Sequence, residues 1–161
     1  MLRETDMVVG RSSRLIILGA ALAVACGEPL SPRAVAGTYA LQRVAGDALP
    51  ALLYANGSVN VRVFADTLQF LPDGHGTLIT VRESDPVSGG PSSGPLRSES
   101  AFGFRITAGR IEVGFECPPH VGCVAVAGPQ LVLRRIGDGL EAVFAQGARI
   151  PLTYTRVASA H

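Results

Sequence analysis

Cysteines and histidines are the residues of this chain whose chemistry is easiest to recognise. Cys117, His120 and Cys123 have the spacing C-x2-H-x2-C, and thiolate and imidazole groups are preferred ligands of zinc. A structural zinc site normally has a fourth ligand, and no further candidate lies nearby in the sequence. In an oxidising compartment Cys117 and Cys123 can instead form a disulfide around the turn-forming segment 118–122. We expect the disulfide and no metal site.

The candidates for catalysis are weak. Asp73 and His75 lie close together, but the proline and glycines around them predict a tight hairpin turn. Serines are concentrated in the segment 84–98, no Gly-x-Ser-x-Gly motif occurs, and no glycine-rich phosphate-binding loop precedes a helix. We therefore expect that the chain is not an enzyme and that it has no cofactor.

The N-terminal segment predicts export. The 11 uncharged residues 15–25 follow two arginines, and such a run is too short to span a bilayer and typical of the hydrophobic core of a signal peptide. It ends in Ala-Val-Ala, the small-x-small pattern that signal peptidases recognise. We assign 1–25 to a signal peptide. Acidic residues before Met7 are unusual in such a segment, so Met1 and Met7 are alternative starts.

Cys26 follows directly, and the stretch LIILGAALAVAC resembles the lipobox of bacterial lipoproteins. In that family the cysteine is acylated, becomes the first residue of the mature chain and tethers the domain to a membrane. The family prefers leucine three residues before the cysteine, where this chain has Ala23. Ordinary secretory cleavage at the same bond is the alternative. The resemblance implies an outer-membrane lipoprotein of a bacterial envelope that faces the periplasm, with 26–35 as its tether.

Composition agrees with an exported globular domain. The predicted mature chain carries 11 arginines, no lysine and 11 acidic residues, and this neutral balance lacks the electrostatic signature of a nucleic-acid-binding protein. The 19 glycines and 11 prolines favour many turns over long helices. The length suits one domain, which we place at 36–158 and expect to be a monomer.

Alternating apolar residues predict a succession of antiparallel strands. The clearest hairpin pairs 102–106 with 111–115, with its apolar residues facing inward and Arg105, Glu112 and Glu116 facing outward. The phase of the alternation changes between Val63 and Leu68, which predicts a β-bulge near residues 65 and 66.

Two segments depart from this alternation. Residues 48–56 are a short apolar stretch with an early proline, which favours a helical turn or a compact loop over a strand. Residues 84–98 are rich in glycine, serine and proline and predict a long mobile loop.

The remaining rhythm is that of an up-and-down meander, whose exposed edges disappear when it closes into a barrel. With Gly37, Thr38 and Tyr39 in the first strand and AGDALP at 45–50, the chain is similar to small bacterial lipocalin-like lipoproteins. Lipocalins proper have tryptophan where this chain has Tyr39. The resemblance implies an all-β antiparallel barrel of about eight to ten strands with an interior for an apolar ligand. A flattened β-sandwich is the alternative.

Two classes of function follow. In the first, the tethered barrel binds a small hydrophobic ligand, inward-facing rings line the site, and either residues 48–56 or the loop 84–98 gate its mouth. The lining candidates are Tyr39, Phe102, Phe104, Phe115, Phe144 and Tyr154, and the gate candidates are Leu52, Leu53 and Tyr54. In the second class the rings simply fill the core, and the protein contacts envelope partners through an exposed apolar patch at 52–54.

Overall fold

A computed structural model describes residues 30–117, 128–144 and 150–158 of the chain. Within these residues a short helical turn precedes ten β-strands. In chain order the elements are α1 (Pro32–Val35), β1 (Gly37–Val44), β2 (Asp47–Ala48), β3 (Ala51–Ala55), β4 (Val59–Phe70), β5 (His75–Pro86), β6 (Leu96–Thr107), β7 (Arg110–Phe115), β8 (Leu131–Ile136), β9 (Gly139–Phe144) and β10 (Pro151–Val157). The prediction of an all-β fold is confirmed.

The strands form one antiparallel sheet that closes on itself. Strands β4 to β10 pair in succession, and β1 pairs with both β10 and β4. These eight strands make a closed barrel, which removes the free edges of a meander. The predicted closed meander is therefore confirmed, and the chain does not form the alternative flattened sandwich.

Strands β2 and β3 lie where β1 and β4 separate. β1 pairs with β4 from Gly37 to Ala40 and then with β2, while β3 pairs with the first half of β4. The prediction of a helical turn or loop for 48–56 is therefore wrong. Main-chain groups of β1 and β4 that have moved apart need new hydrogen-bond partners, and a short strand beside each one supplies them.

The loop predicted at 84–98 is shorter than expected. β5 continues to Pro86 and β6 begins at Leu96, because main-chain pairing with the neighbouring strands runs into this polar sequence. The connection is also held by the Ser92 hydroxyl, which donates to Glu83 Oε1 at 2.7 Å. Composition is misleading here because ladder hydrogen bonds use the main chain and do not require apolar side chains.

The hairpin of β6 and β7 follows the predicted pattern. Phe102 lies opposite Phe115, and Arg105 lies opposite Glu112 on the outer face, where Nε and Oε2 are 2.7 Å apart. The residues predicted to face inward are buried or partly buried in the core: Phe102, Phe104, Ile106, Ile111, Val113 and Phe115.

The predicted bulge in β4 is present. The register against β5 shifts between Val63 and Ala65, so the buried face moves from the odd-numbered residues before the bulge to Asp66, Leu68 and Phe70 after it. A bulge absorbs one additional residue in a strand and changes its local direction. The consequence is that Asp66 points into the barrel, where it is 4% exposed.

One region of the interior, which we call the aromatic end, is filled by Tyr39, Phe70, Phe102 and Phe104. The Phe70 ring meets the other three edge-to-face at centroid distances of 5.7, 5.3 and 4.9 Å. This geometry suits the quadrupoles of aromatic rings. Gly76 lies beside them, and a Cβ atom there would overlap the ring of Phe102.

Helix α1 lies beside the aromatic end. The Tyr39 hydroxyl donates to the carbonyl oxygen of Val35 at 2.9 Å, and the guanidinium carbon of Arg156 lies 5.9 Å from the centroid of the Tyr39 ring. Arg156 Nη2 also donates to the carbonyl oxygen of Ala36 at 2.5 Å. Leu30 and Val35, which belong to the predicted tether 26–35, pack against the core.

Candidate functional site

A cavity of about 210 Å³, partly open to solvent, lies in the barrel next to the aromatic end. Phe115 lines it and also contacts Phe102, with ring centroids 6.2 Å apart. The apolar side of the cavity is formed by Leu78, Phe115, Leu131 and Leu152. Polar side chains line another part of the cavity. We call four of them the polar wall: Asp66, Thr80, Arg82 and Tyr154.

Two adjacent strands of the closed sheet, β4 and β5, and a third strand, β10, bring the polar wall together. Asp66 on β4 lies directly opposite Thr80 on β5, and Arg82 follows two residues later on the same face. Tyr154 reaches the same carboxylate from β10. Ser98 and Ser100 of β6 and Gln130, which directly precedes β8, are the other polar residues of the lining.

The polar wall contains buried atoms that lack partners. Asp66 Oδ2 lies 3.5 Å from Arg82 Nη2. Among the described residues, however, Asp66 Oδ1, Thr80 Oγ1 and Arg82 Nε are buried and have no hydrogen-bond partner in the protein. Each such group costs about 1–3 kcal/mol of folding free energy when it stays unpaired. Because all three belong to residues that line one cavity, this wall is the part of the barrel best suited to holding a bound molecule.

Burial sets the charge of the polar wall. It raises the pKa of Asp66 from 3.8 to about 6, against the opposing effects of the Arg82 charge and of hydrogen bonds from Arg82 and Tyr154. Burial also raises the pKa of Tyr154, and the nearby Asp66 carboxylate raises it further. Above pH 6 the wall therefore holds a carboxylate and a guanidinium in balance, and below it the positive charge of Arg82 dominates.

The predicted lining residues divide into two groups. Phe115 and Tyr154 line the cavity. Tyr39, Phe102 and Phe104 contact Phe70 and fill the aromatic end. The side chain of the sixth candidate, Phe144, lies outside the described residues.

The predicted gate residues lie on β3. Leu53 is buried, whereas Leu52 is 51% exposed and Tyr54 is 44% exposed. This strand lies level with the polar wall, because Ala51 is the register partner of Val63, which is itself the partner of Arg82. A gating role for these residues stays a prediction.

The cysteine predictions rest largely on residues outside the described ranges. Cys117 is exposed and forms no disulfide within the described residues. Its predicted partner Cys123, as well as His120 and the predicted lipid attachment site Cys26, lie outside those ranges. The disulfide stays a prediction. In the described part of the chain, no group of residues is arranged to hold a metal ion, and no helix has the length and apolar character needed to cross a membrane.

The turn that contains Asp73 and His75 is on the surface. Asp73 Oδ1 accepts a hydrogen bond from the main-chain nitrogen of His75 at 3.1 Å, as expected for a hairpin turn. His75 Nδ1 lies 3.1 Å from Glu116 Oε1, and both side chains are well exposed. Neither Asp73 nor His75 lines the cavity.

A larger hollow, of about 350 Å³, lies on the outside of β6 and β7. It forms where Gly103 and Gly114 lie opposite each other without side chains. Its charged residues, Arg105 and Glu112, already pair with each other. The hollow therefore lacks the unsatisfied groups that distinguish the internal cavity.

The residues of the polar wall, apart from Tyr154, were not singled out from the sequence. The signal was present, because the bulge predicted near residue 65 puts Asp66 in phase with the inward-facing Leu68 and Phe70. Thr80 and Arg82 likewise alternate with the same period as the inward-facing Leu78, so they lie on the same face of β5. Phase along each strand would have identified them, whereas residue type alone classes them as surface residues.

No protein-family model, curated protein or solved structure matches this chain. The fold is a closed barrel, and what the barrel does has to be inferred from the chemistry of its own cavity.

Proposed function

We propose that this chain is an exported, lipid-anchored β-barrel that binds a small molecule with an apolar body and does not catalyse a reaction. The observation that supports binding is the internal cavity of about 210 Å³ in a barrel whose aromatic end is filled. An eight-stranded barrel is just wide enough to be filled by side chains or to hold one small ligand.

The size of the cavity limits the size of the ligand. An apolar cavity of about 150 Å³ accommodates benzene, and pockets for drug-sized molecules have volumes of about 300–1,000 Å³. The present cavity lies between these values. We therefore expect a ligand slightly larger than one aromatic ring, with its apolar body against Leu78, Leu131 and Leu152.

The absence of catalysis is supported by the lining. Ser98 and Ser100 could only act as nucleophiles beside a suitable base, and no histidine occurs among the described residues that line the cavity. Asp66 is already engaged with Arg82.

Isopropylbenzene tests the cavity directly. In ligand-observed NMR with the full chain, we expect saturable binding that is lost in Leu78→Phe, because the larger side chain fills the cavity. Leu71→Phe is the matched control, since Leu71 is exposed and does not line the cavity. Circular dichroism checks that both variants keep the barrel. Unchanged binding to a folded Leu78→Phe variant would contradict the proposal, and so would the absence of binding by both isopropylbenzene and its polar single-ring analogues.

The lipid anchor is supported by the sequence around Cys26. We expect the protein to fractionate with membranes and to become soluble after Cys26→Ser, because acylation of that thiol provides the anchor. Cys117→Ser is the matched control and should stay with the membrane. Equal fractionation of the two variants would contradict a lipid at Cys26.

A second candidate function is contact with an envelope partner through β3. It is favoured by the outward exposure of Leu52 and Tyr54, since exposed apolar side chains are typical of interaction surfaces when they cluster. A photo-crosslinking residue at position 52 should give one discrete product in cells, and Tyr54→Ser should remove it. A product that is unaffected by Tyr54→Ser would argue against this surface.

A further inference from the structure

We propose that the ligand carries a neutral polar group that both donates and accepts hydrogen bonds, such as a primary carboxamide, and that Asp66, Thr80 and Arg82 hold this group. The inference rests on the proposed ligand-binding function and specifies the chemistry of the same cavity. It separates this barrel from one that binds purely apolar molecules.

The hydrogen-bonding capacity of the wall determines this chemistry. When its carboxylate is ionised, Asp66 Oδ1 accepts hydrogen bonds and cannot donate them. Arg82 Nε donates and cannot accept, and Thr80 Oγ1 can do either. All three atoms are buried and, within the described chain, unpartnered. A group that satisfies the first two must offer an N–H or O–H to the carboxylate and an oxygen to the guanidinium, and a carboxamide offers both.

The charges of the wall favour a neutral group. Asp66 and Arg82 form an ion pair at 3.5 Å, so the site as a whole has no net charge. A cationic ligand would meet Arg82 and an anionic ligand would meet Asp66, and each would be penalised by the like charge. The other polar groups that line the cavity are Tyr154 on β10, Ser98 and Ser100 on β6, and Gln130 before β8. None of them carries a charge near neutral pH, so they do not change this balance.

The position of the wall also fixes the orientation of the ligand. Thr80 and Arg82 follow Leu78 along one face of β5, so the polar and apolar parts of the lining are continuous. A molecule with a ring next to its carboxamide could therefore place the ring against Leu78 and the amide against the wall.

Five single-ring probes of matched shape test the inference with the full chain at pH 8, where Asp66 is ionised. They are benzamide, acetophenone, isopropylbenzene, benzoate and benzamidinium. We expect benzamide to bind most tightly. Acetophenone cannot donate to Asp66 and should bind about tenfold more weakly, since a hydrogen bond to a charged group provides a factor of that order. The two ions should also bind more weakly than benzamide.

Two variants connect this preference to the wall. Thr80→Val should weaken benzamide binding about threefold to tenfold, because a hydrogen bond to a neutral group is lost, and should leave isopropylbenzene binding unchanged. Asp66→Asn leaves Arg82 without its counter-charge, so benzoate should then bind more tightly than benzamide. Thr155→Val and Asp138→Asn are the matched controls, since both residues are exposed on the outside. Neither control should alter the order of the probes.

Each other result has a distinct meaning. If isopropylbenzene binds as tightly as benzamide, the polar-group inference is overturned while the proposed cavity function stands. If no probe binds, isopropylbenzene included, the proposed function itself fails. If benzoate or benzamidinium binds best to the unmodified chain, the balance of charge assigned to the wall is wrong. A purely structural role for Thr80 would show as equal weakening of benzamide and isopropylbenzene.

Discussion

The aromatic end and the polar wall lie inside the same barrel, and each contains one buried tyrosine. Tyr39 donates its hydroxyl hydrogen to the carbonyl of Val35 at 2.9 Å and packs against Phe70. Tyr154 instead faces the carboxylate of Asp66, whose Oδ1 has no hydrogen-bond partner among the described residues. The aromatic end thus satisfies the groups that it buries, and the polar wall does not. Unsatisfied buried groups reduce stability, so their concentration around a cavity is typical of a site kept for function.

The largest loss of stability should come from truncating Phe70, at the centre of the aromatic end. Its ring is fully buried among three other rings, so Phe70→Ala should lower the free energy of unfolding by about 3–5 kcal/mol. Urea denaturation measures this change. Leu71→Ala next to it, with a side chain that is 41% exposed, is the control and should cost less than about 1 kcal/mol. Similar losses in both variants would mean that the aromatic end is not the stabilising core.

The polar wall should make stability depend on pH. The pKa of Asp66 is raised to about 6 in the folded barrel from 3.8, so the folded state holds this proton more tightly than the unfolded state does. Protonation of Asp66 therefore stabilises the folded state. This contribution to the free energy of unfolding is fully present below about pH 4 and is lost as the pH rises through about 6, a decrease of about 3 kcal/mol in total. Unfolding measured from pH 4 to pH 8 should show this decrease in the native chain relative to Asp66→Asn.

Asp138→Asn, a change of the same charge on the surface, is the control for that pH series. Its unfolding free energy should follow that of the native chain at every pH. The assignment to Asp66 would be refuted by a pH profile that is the same in Asp66→Asn and in the native chain.

Thr80→Val should increase stability. The hydroxyl is buried without a partner in the described protein, and valine has nearly the same shape, so we expect a gain of about 1 kcal/mol in the free energy of unfolding. Thermal unfolding of Thr80→Val and of the exposed Thr155→Val provides the comparison. A loss of stability in Thr80→Val alone would show that the hydroxyl already has a partner.

Tyr39→Phe should lower the free energy of unfolding, in contrast to Thr80→Val, and by a similar or smaller amount. It removes the hydrogen bond to Val35 and keeps the ring, so we expect a loss of about 1 kcal/mol. Binding of isopropylbenzene should not change, because Tyr39 does not line the cavity. Tyr54→Phe, at an exposed position, should leave both quantities unaltered. Weaker probe binding in Tyr39→Phe would show that the two regions are coupled.

Side-chain alternation was sufficient to predict most of the barrel. The hairpin of β6 and β7 and the bulge in β4 were predicted because inward-facing residues there are strongly apolar and their phase is easy to follow. Strand β3 was missed because neighbouring apolar residues obscure the alternation of buried Leu53 with exposed Leu52 and Tyr54. Its existence depends on the separation of β1 from β4, which is a property of the closed sheet and not of the local sequence.

The candidate site was harder to predict than the fold. Phe115 and Tyr154 were recognised because inward-facing rings are expected around an apolar ligand. Asp66, Thr80 and Arg82 come from two strands, and their interaction depends on a register that no single segment specifies. The polar composition around Ser98 predicts a loop, whereas main-chain pairing places Ser98 on β6.

The bulge in β4 has a consequence for how the length of this strand can change. Residues 64 and 65 together occupy the space that one residue would occupy in a regular ladder. A shortened chain that lacks Phe64 would therefore keep Val63 and Asp66 on the interior face, now in unbroken alternation. Insertions or deletions elsewhere in β4 would exchange its inner and outer faces. During the evolution of this barrel, the bulge is thus the position where β4 could have gained or lost a residue while Asp66 stayed on the interior face.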